Sequence, residues 1–307
     1  MAVGASRIYH VNSNCTDLAR SADFYEGLGL RRALRTTPST PQPGAALGLD
    51  QVAWDAWMMS SDDGTDGLVL DLLRWTTPPP TGAPPPTAAR PGLDRLCLTT
   101  PALDAVLGAA VDRGGSVRGG PLVVEPGRPR TAMVLDPDGI AVELVEGEHT
   151  SIAHVVVNVT DLERSVAYYR DVMGLRPVDA ARAVEPPAAL HGLGADGAAR
   201  TASLADGGSA AQVRLVQWLD PPAAAGARRA ANQVGLFRMA WSTDDCRRDE
   251  AVVRAAGCAP FAPTSPLSVG DDLPLLRVLF WPGPDGECLE LIEVIDDDQT
   301  DHGREDW

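Results

Sequence analysis

The chain contains no lysine, so all 26 of its basic residues are arginine. Schiff-base catalysis through a lysine amine is thereby excluded. Arginine is in turn outnumbered by 42 acidic residues, and the formal net charge over 307 residues is −16. Without a basic stripe to neutralise phosphates, a nucleic-acid partner is excluded as well. No apolar run reaches the ~20 residues that span a bilayer. The start, Met1-Ala2-Val3-Gly4, lacks the basic and apolar regions of a secretory signal. Cysteine is sparse: Cys15, Cys97, Cys246, Cys258 and Cys288 are scattered, odd in number and form no Cys-x-x-Cys spacing. Reduced thiols in a bacterial cytoplasm fit that pattern better than a disulfide framework or a structural zinc site. Also missing are a Gly-rich phosphate loop, a nucleophile elbow and a His-Glu-x-x-His segment.

What is present is a repeat. His10-Val11-Asn12-Ser13-Asn14-Cys15-Thr16-Asp17-Leu18 returns as His154-Val155-Val156-Val157-Asn158-Val159-Thr160-Asp161-Leu162. Each copy continues into an aromatic pair (Phe24-Tyr25, Tyr168-Tyr169) and a Gly-Leu step (Gly29-Leu30, Gly174-Leu175). Self-similarity of this kind sets the architecture before any local propensity does. Two further segments are shorter relatives: Gly92-Leu93-Asp94-Arg95-Leu96-Cys97 matches Gly235-Leu236-Phe237-Arg238-Met239-Ala240, and Asp136-Pro137-Asp138-Gly139 matches Pro284-Asp285-Gly286.

The patterns predict four modules of strand, helix and several strands, an α+β chain of βαβββ units. The alternating run from Arg7 precedes an N-cap at Thr16-Asp17 and an amphipathic helix over Leu18–Leu28. The second helix, from Leu103, stops at Gly114-Gly115. Proline- and alanine-rich stretches at Thr76–Pro91 and Asp220–Asn232 read as extended linkers. We therefore expect an N-terminal domain over 1–149 (modules about 6–76 and 91–147) and a C-terminal domain over 150–295 (modules about 151–220 and 233–295). The acidic segment 296–307 has the composition of a disordered tail. Pairing two such modules curls half-open mixed sheets around a sheltered ligand cavity.

The pattern His-Val-x5-Asp-Leu-x2-Ser-x3-Tyr with its Gly-Leu step, closed by Asp-Pro-Asp-Gly-x3-Glu-Leu, resembles the vicinal oxygen chelate superfamily. That group includes glyoxalase I, extradiol dioxygenases and bleomycin-resistance proteins. The resemblance covers nearly the whole chain and implies two tandem domains. It implies a divalent metal (Fe, Mn, Ni, Zn or Co) held by the opening and last strands of paired modules. In the N-terminal half those positions fall on His10, Asp71, Arg95 and Glu143; in the C-terminal half, on His154, Arg214, Arg238 and Glu290.

A guanidinium cannot ligate a cation. The expected metal set is therefore His10, Asp71 and Glu143 in the N-terminal half, with no metal as the alternative. Arg95 and Arg238 either face a substrate oxyanion or close buried ion pairs with Glu143 and Glu290. His10, Glu143 and Arg95 are the expected catalytic residues, with Arg238, His154, Glu290 and Trp57 binding substrate. Tryptophans such as Trp54, Trp57 and Trp75 stack on a planar ligand or form ordinary core. The expected function is a small-molecule enzyme, of lyase, isomerase or dioxygenase type, in natural-product metabolism. Its substrate is an oxygenated, aromatic or polyketide-like compound, turned over by metal-assisted or metal-free acid–base chemistry. The alternative is a metal-free protein that sequesters an antibiotic. Neither needs a membrane, and the chain is expected as a monomer or homodimer.

Overall fold

The computed structural model describes residues 2–61, 67–84, 90–123, 126–178, 187–193, 197–207, 211–220, 222 and 229–295. The expectation of a disordered tail lies outside them. Four helices carry the repeat. Asp17, Asp161 and Asp245 are extended N-cap residues whose carboxylates accept from the amides of Arg20, Arg164 and Arg248, which satisfies a helix end that has no internal partner.

The first module comprises β1 (Ala5–Asn14), α1 (Leu18–Gly27), β2 (Arg31–Thr36), β3 (Gln42–Pro43), β4 (Gln51–Ser60) and β5 (Val69–Thr77). The second is β6 (Gly92–Thr100), α2 (Leu103–Asp112), β7 (Ser116–Val123), β8 (Arg130–Leu135) and β9 (Ala141–Glu146). The third holds β10 (Ser151–Asn158), α3 (Leu162–Asp171), β11 (Arg176–Val178), β12 (Ala199–Ala205) and β13 (Gln212–Trp218). The fourth is β14 (Gly235–Thr243), α4 (Cys246–Ala255), β15 (Ser265–Leu267), β16 (Leu275–Pro282) and β17 (Cys288–Ile295).

The modules pair across the halves. One nine-stranded sheet runs β15-β16-β17-β14-β1-β5-β4-β2, with β3 on β4, and joins the fourth module to the first. The other, of eight strands, runs β11-β12-β13-β10-β6-β9-β8-β7 and joins the third to the second. The antiparallel seams are β1 with β14, where His10 stands opposite Ala240, and β10 with β6, where His154 stands opposite Cys97. This corrects the expectation that each half closes its own cavity.

Connector length supplies a physical reason. Four residues separate β9 from β10, and Thr99 Oγ1 donates to the His149 carbonyl at 2.8 Å, so β10 turns directly into place beside β6. The proline-rich connectors impose no such constraint. Their described parts meet: Thr81 N donates to Asn232 O, Val234 N donates to Thr81 O, and Asn232 Nδ2 donates to Pro79 O at 2.7 Å.

Within each half the modules are joined by a clamp instead of a sheet. Thr16, Arg20 and Ser21 at the start of α1 all reach Asp138, in the turn that precedes β9. Thr160, Arg164 and Ser165 reach Asp285 in the same way. The four modules thus form a closed ring of alternating sheet seams and clamps. Strand alternation then sorts the faces. Leu70, Leu72, Leu289 and Leu291 join the large core shared with the helices. Leu73, Trp75, Cys288 and Ile292, interleaved with them, line the opposite face of the first sheet.

Candidate functional site

The same alternation carries four charged or titratable side chains to the inner face of the first sheet: His10 on β1, Asp71 on β5, Arg238 on β14 and Glu290 on β17. All four line one cavity of about 350 Å³, near the lower end of small-molecule sites (about 300–1,000 Å³). Arg238 Nη2 donates to Asp71 Oδ2 at 2.7 Å and its Nε donates to Glu290 Oε2 at 2.7 Å. Asn12 Nδ2 holds Asp71 from behind at 3.1 Å.

Burial alone would raise the Glu290 pKa, but the charge of Arg238, with the His10 ring beside the carboxylate, outweighs it and holds Glu290 below the usual carboxylate value. Burial pulls Arg238 down, yet Glu290 and Asp71 raise it further still. The pair is therefore ionised in place. His10 is buried, at 5% exposure, and its Nε2 lies 3.3 Å from Glu290 Oε2 and 3.9 Å from Asp71 Oδ2. Neither ring nitrogen of His10 has a hydrogen-bond partner among the described residues. A buried polar atom left unbonded costs free energy, so this imidazole is the group at the floor with capacity for a ligand.

The walls are apolar. Leu34, Trp54, Met58, Leu267, Leu276 and Ile292 line the cavity. Trp54 is fixed by an Nε1 bond to Thr36 Oγ1 at 3.2 Å and by an edge contact with Trp75. Trp57, expected to bind substrate, points the other way: it alternates with Trp54 on β4 and packs under the guanidinium groups of Arg32 and Arg35. One residue of register separates the two, which is the whole difference between cavity and outer face.

The second sheet brings His154, Arg95, Glu143 and Arg214 to its inner strands. Arg95, fully buried, donates to Glu143 Oε2 at 2.9 Å and to Asp94 Oδ2 at 2.7 Å. Burial drives the His154 pKa well below its ordinary value, and the positive charges of Arg214 and Arg95 add to the effect. Ala188, Val156, Val216 and Trp218 form an apolar cluster on this sheet. The grouping expected from the sequence is therefore rearranged. His10 and Asp71 do not meet Glu143 or Arg95, which belong to the other sheet with His154. They meet Arg238 and Glu290, because the seam runs from the first module to the fourth.

The metal expectation is tested by these contacts. At the His10 floor one oxygen of each carboxylate, Asp71 Oδ2 and Glu290 Oε2, is bonded to the guanidinium fixed between them. A dication would have to displace that buried charge, and only His10 remains uncommitted; the set does not fit a metal. On the second sheet Cys97, Glu143 and His154 offer donor atoms within 4.8 Å of one another, a group that can hold an ion. Cys97 was not expected there from the sequence. Its signal was available in strand alternation, since it lies two residues beyond Arg95 on the same face.

The floor and the fold define a tandem-module, cavity-bearing protein whose polar centre sits at the seam of two modules. The chain belongs to the Glyoxalase/Bleomycin resistance protein/Dioxygenase superfamily, whose family model matches residues 7–144 and 151–260. A lactoylglutathione lyase of Haemophilus influenzae is 28% identical over 143 residues, which are 46% of this chain and 91% of that protein. Glyoxalase I from Zea mays shares the fold, with a TM-score of 0.65 and 18% identity over 97% of this chain and 94% of that one. These relatives are enzymes, in agreement with the enzyme reading of the sequence. No helix among the described residues is long and apolar enough to cross a membrane.

Proposed function

We propose that the chain is an enzyme of this superfamily that moves a proton at a carbon next to a carbonyl, without a metal, in the cavity of the first sheet. The observation that carries this reading is His10: buried, unbonded at both ring nitrogens, and facing an apolar cavity beside a fixed guanidinium. The neutral imidazole takes the proton from the substrate carbon. The C–H electron pair forms the carbon–carbon double bond of an enediolate, and the carbonyl π pair moves onto oxygen. Arg238 stabilises that oxyanion; a guanidinium has five N–H donors and its carboxylate contacts use two. Glu290, 3.3 Å from Nε2, stabilises the imidazolium until it returns a proton to carbon: to the same carbon in simple exchange, or to the neighbouring one as the hydroxyl proton passes to the former carbonyl oxygen. Asp71 and Asn12 position Arg238.

The test is deuterium incorporation at the hydroxyl-bearing carbon of benzoin or 2-hydroxyacetophenone in heavy water, followed by proton NMR. Wild-type protein is expected to catalyse exchange, and His10→Gln to slow it roughly 10²–10⁴-fold, the usual contribution of a positioned base. Equal exchange by His10→Gln would remove His10 from the reaction.

A further inference from the structure

Resting on that reading only for what happens at the floor, we propose that the cavity selects an uncharged, largely apolar hydroxyketone and turns away acidic conjugates. The floor sets two carboxylates, Asp71 and Glu290, against the one guanidinium of Arg238, so an acidic ligand reaching it meets carboxylates already facing the cavity. An anionic ligand entering a cavity of this kind meets repulsion in a medium that screens poorly. Apart from Arg238 and His10, the basic side chain on the lining is Arg7, whose guanidinium lies over the Tyr9 ring at 5.4 Å. The chain's net charge of −16 adds a field of the same sign at long range.

The walls point the same way. The apolar lining continues outward to Leu34 and Val294, which are 41% and 57% exposed and belong to the same cavity. Large apolar side chains left open at the rim of a pocket mark where an apolar ligand is covered. A glutathione thioester presents two carboxylates and a run of amides. Beyond the floor it would find one basic side chain, Arg7, and a few polar groups (Tyr9, Thr36 and Ser242) on an otherwise apolar lining, although the Haemophilus relative carries such a compound in its name. The substrate class accordingly diverges from that relative while the floor still handles a carbonyl and its neighbouring hydroxyl.

Binding decides this without turnover. Benzoin, 4-carboxybenzoin and S-lactoylglutathione are titrated into wild-type and into His10→Gln, with tryptophan fluorescence and calorimetry as readouts. Benzoin is expected to bind at least tenfold tighter than either acid in both proteins. Leu34→Arg, at the exposed rim, is expected to narrow that gap by severalfold through tighter binding of 4-carboxybenzoin. Equal or tighter binding of either acid, or no binding of benzoin up to its solubility limit, would overturn the assignment. If the benzoin preference stands in both proteins but wild-type catalyses no deuterium exchange, the substrate class survives and the proton-transfer reading falls.

Discussion

At the scale of single residues, Arg238 decides the chemistry available at the floor. Its two carboxylate bonds set a fixed positive charge between the two acids a metal would need. Replacing it by a ligand should therefore open the site: Arg238→His is expected to retain about one equivalent of Zn or Ni after dialysis, measured by plasma emission, with the metal lost again in the His10→Ala, Arg238→His double variant. Wild-type deuterium exchange should be unaffected by EDTA, and its loss on chelation would contradict the role given to the guanidinium. Arg238→Met poses the complementary question of stability. It strands two buried carboxylates, and removal of one partner from a buried ion pair typically costs about 3–5 kcal/mol. Urea unfolding should show a loss of that order, and a neutral effect would mean the network is better hydrated than its burial implies. The ion pair of Arg238 with Glu290 was legible in the sequence and is present; its second partner, Asp71, was not, since neither Asp71 nor the seam to β1 lies near position 238 in the chain.

At the scale of elements, the two clamps between helix and turn carry buried acids. Tyr25 donates to Asp136 at 3.2 Å and Tyr169 donates to Glu287 at 2.7 Å. Burial is the largest influence on both and raises Asp136 and Glu287 to about 7. The folded chain thus keeps protons that the unfolded chain has released above its ordinary carboxylate values. Between roughly pH 4 and 7 the folded state binds more protons, so the stability these groups contribute falls as pH rises through that window. The expected size is on the order of 3–4 kcal/mol for each clamp. His154 opposes this on the acid side, because its lowered folded pKa lets the unfolded chain gain a proton first as pH drops. Comparing Glu287→Gln with wild-type isolates one clamp. The variant should gain stability relative to wild-type as pH moves from 5 to 8, read by chemical unfolding at each pH. A difference that stays constant over this range would rule out the titration. The same elements explain the repeated Thr-Asp-Leu-x-Arg-Ser run. Its aspartate caps the helix and its Thr, Arg and Ser grip the next module's turn, a structural duty the motif alone did not disclose.

At the scale of the molecule, ring closure makes each half incomplete. Residues 1–149 keep the pairings of β1 with β5 and of β6 with β9 but lack β14 and β10, the strands that cover the other edges of β1 and β6. Produced alone, this fragment should not give a folded monomer, whereas mixing it with residues 150–295 should give a 1:1 complex with recovered benzoin binding. Sedimentation of the separate and mixed fragments is the measurement, and a stable folded monomer of 1–149 would contradict the seam.

Much of this was fixed by the chain itself. The family resemblance put Asp71, Arg238 and Glu290 at inward positions of their strands, aspartate caps begin three of the helices, and the repeated motif set four modules in order. These are local properties, dictated by neighbours a few residues away. Which modules share a sheet is not local. The bare edge of β1 offers the same row of backbone donors and acceptors to β6 as to β14, and nothing in its own residues chooses between them. What bears on that choice is the short turn into β10 and the clamps that close the ring. Only that long-range geometry seated His10 with Arg238 and Glu290 instead of Arg95 and Glu143, and left its imidazole without a bond at the floor of the cavity.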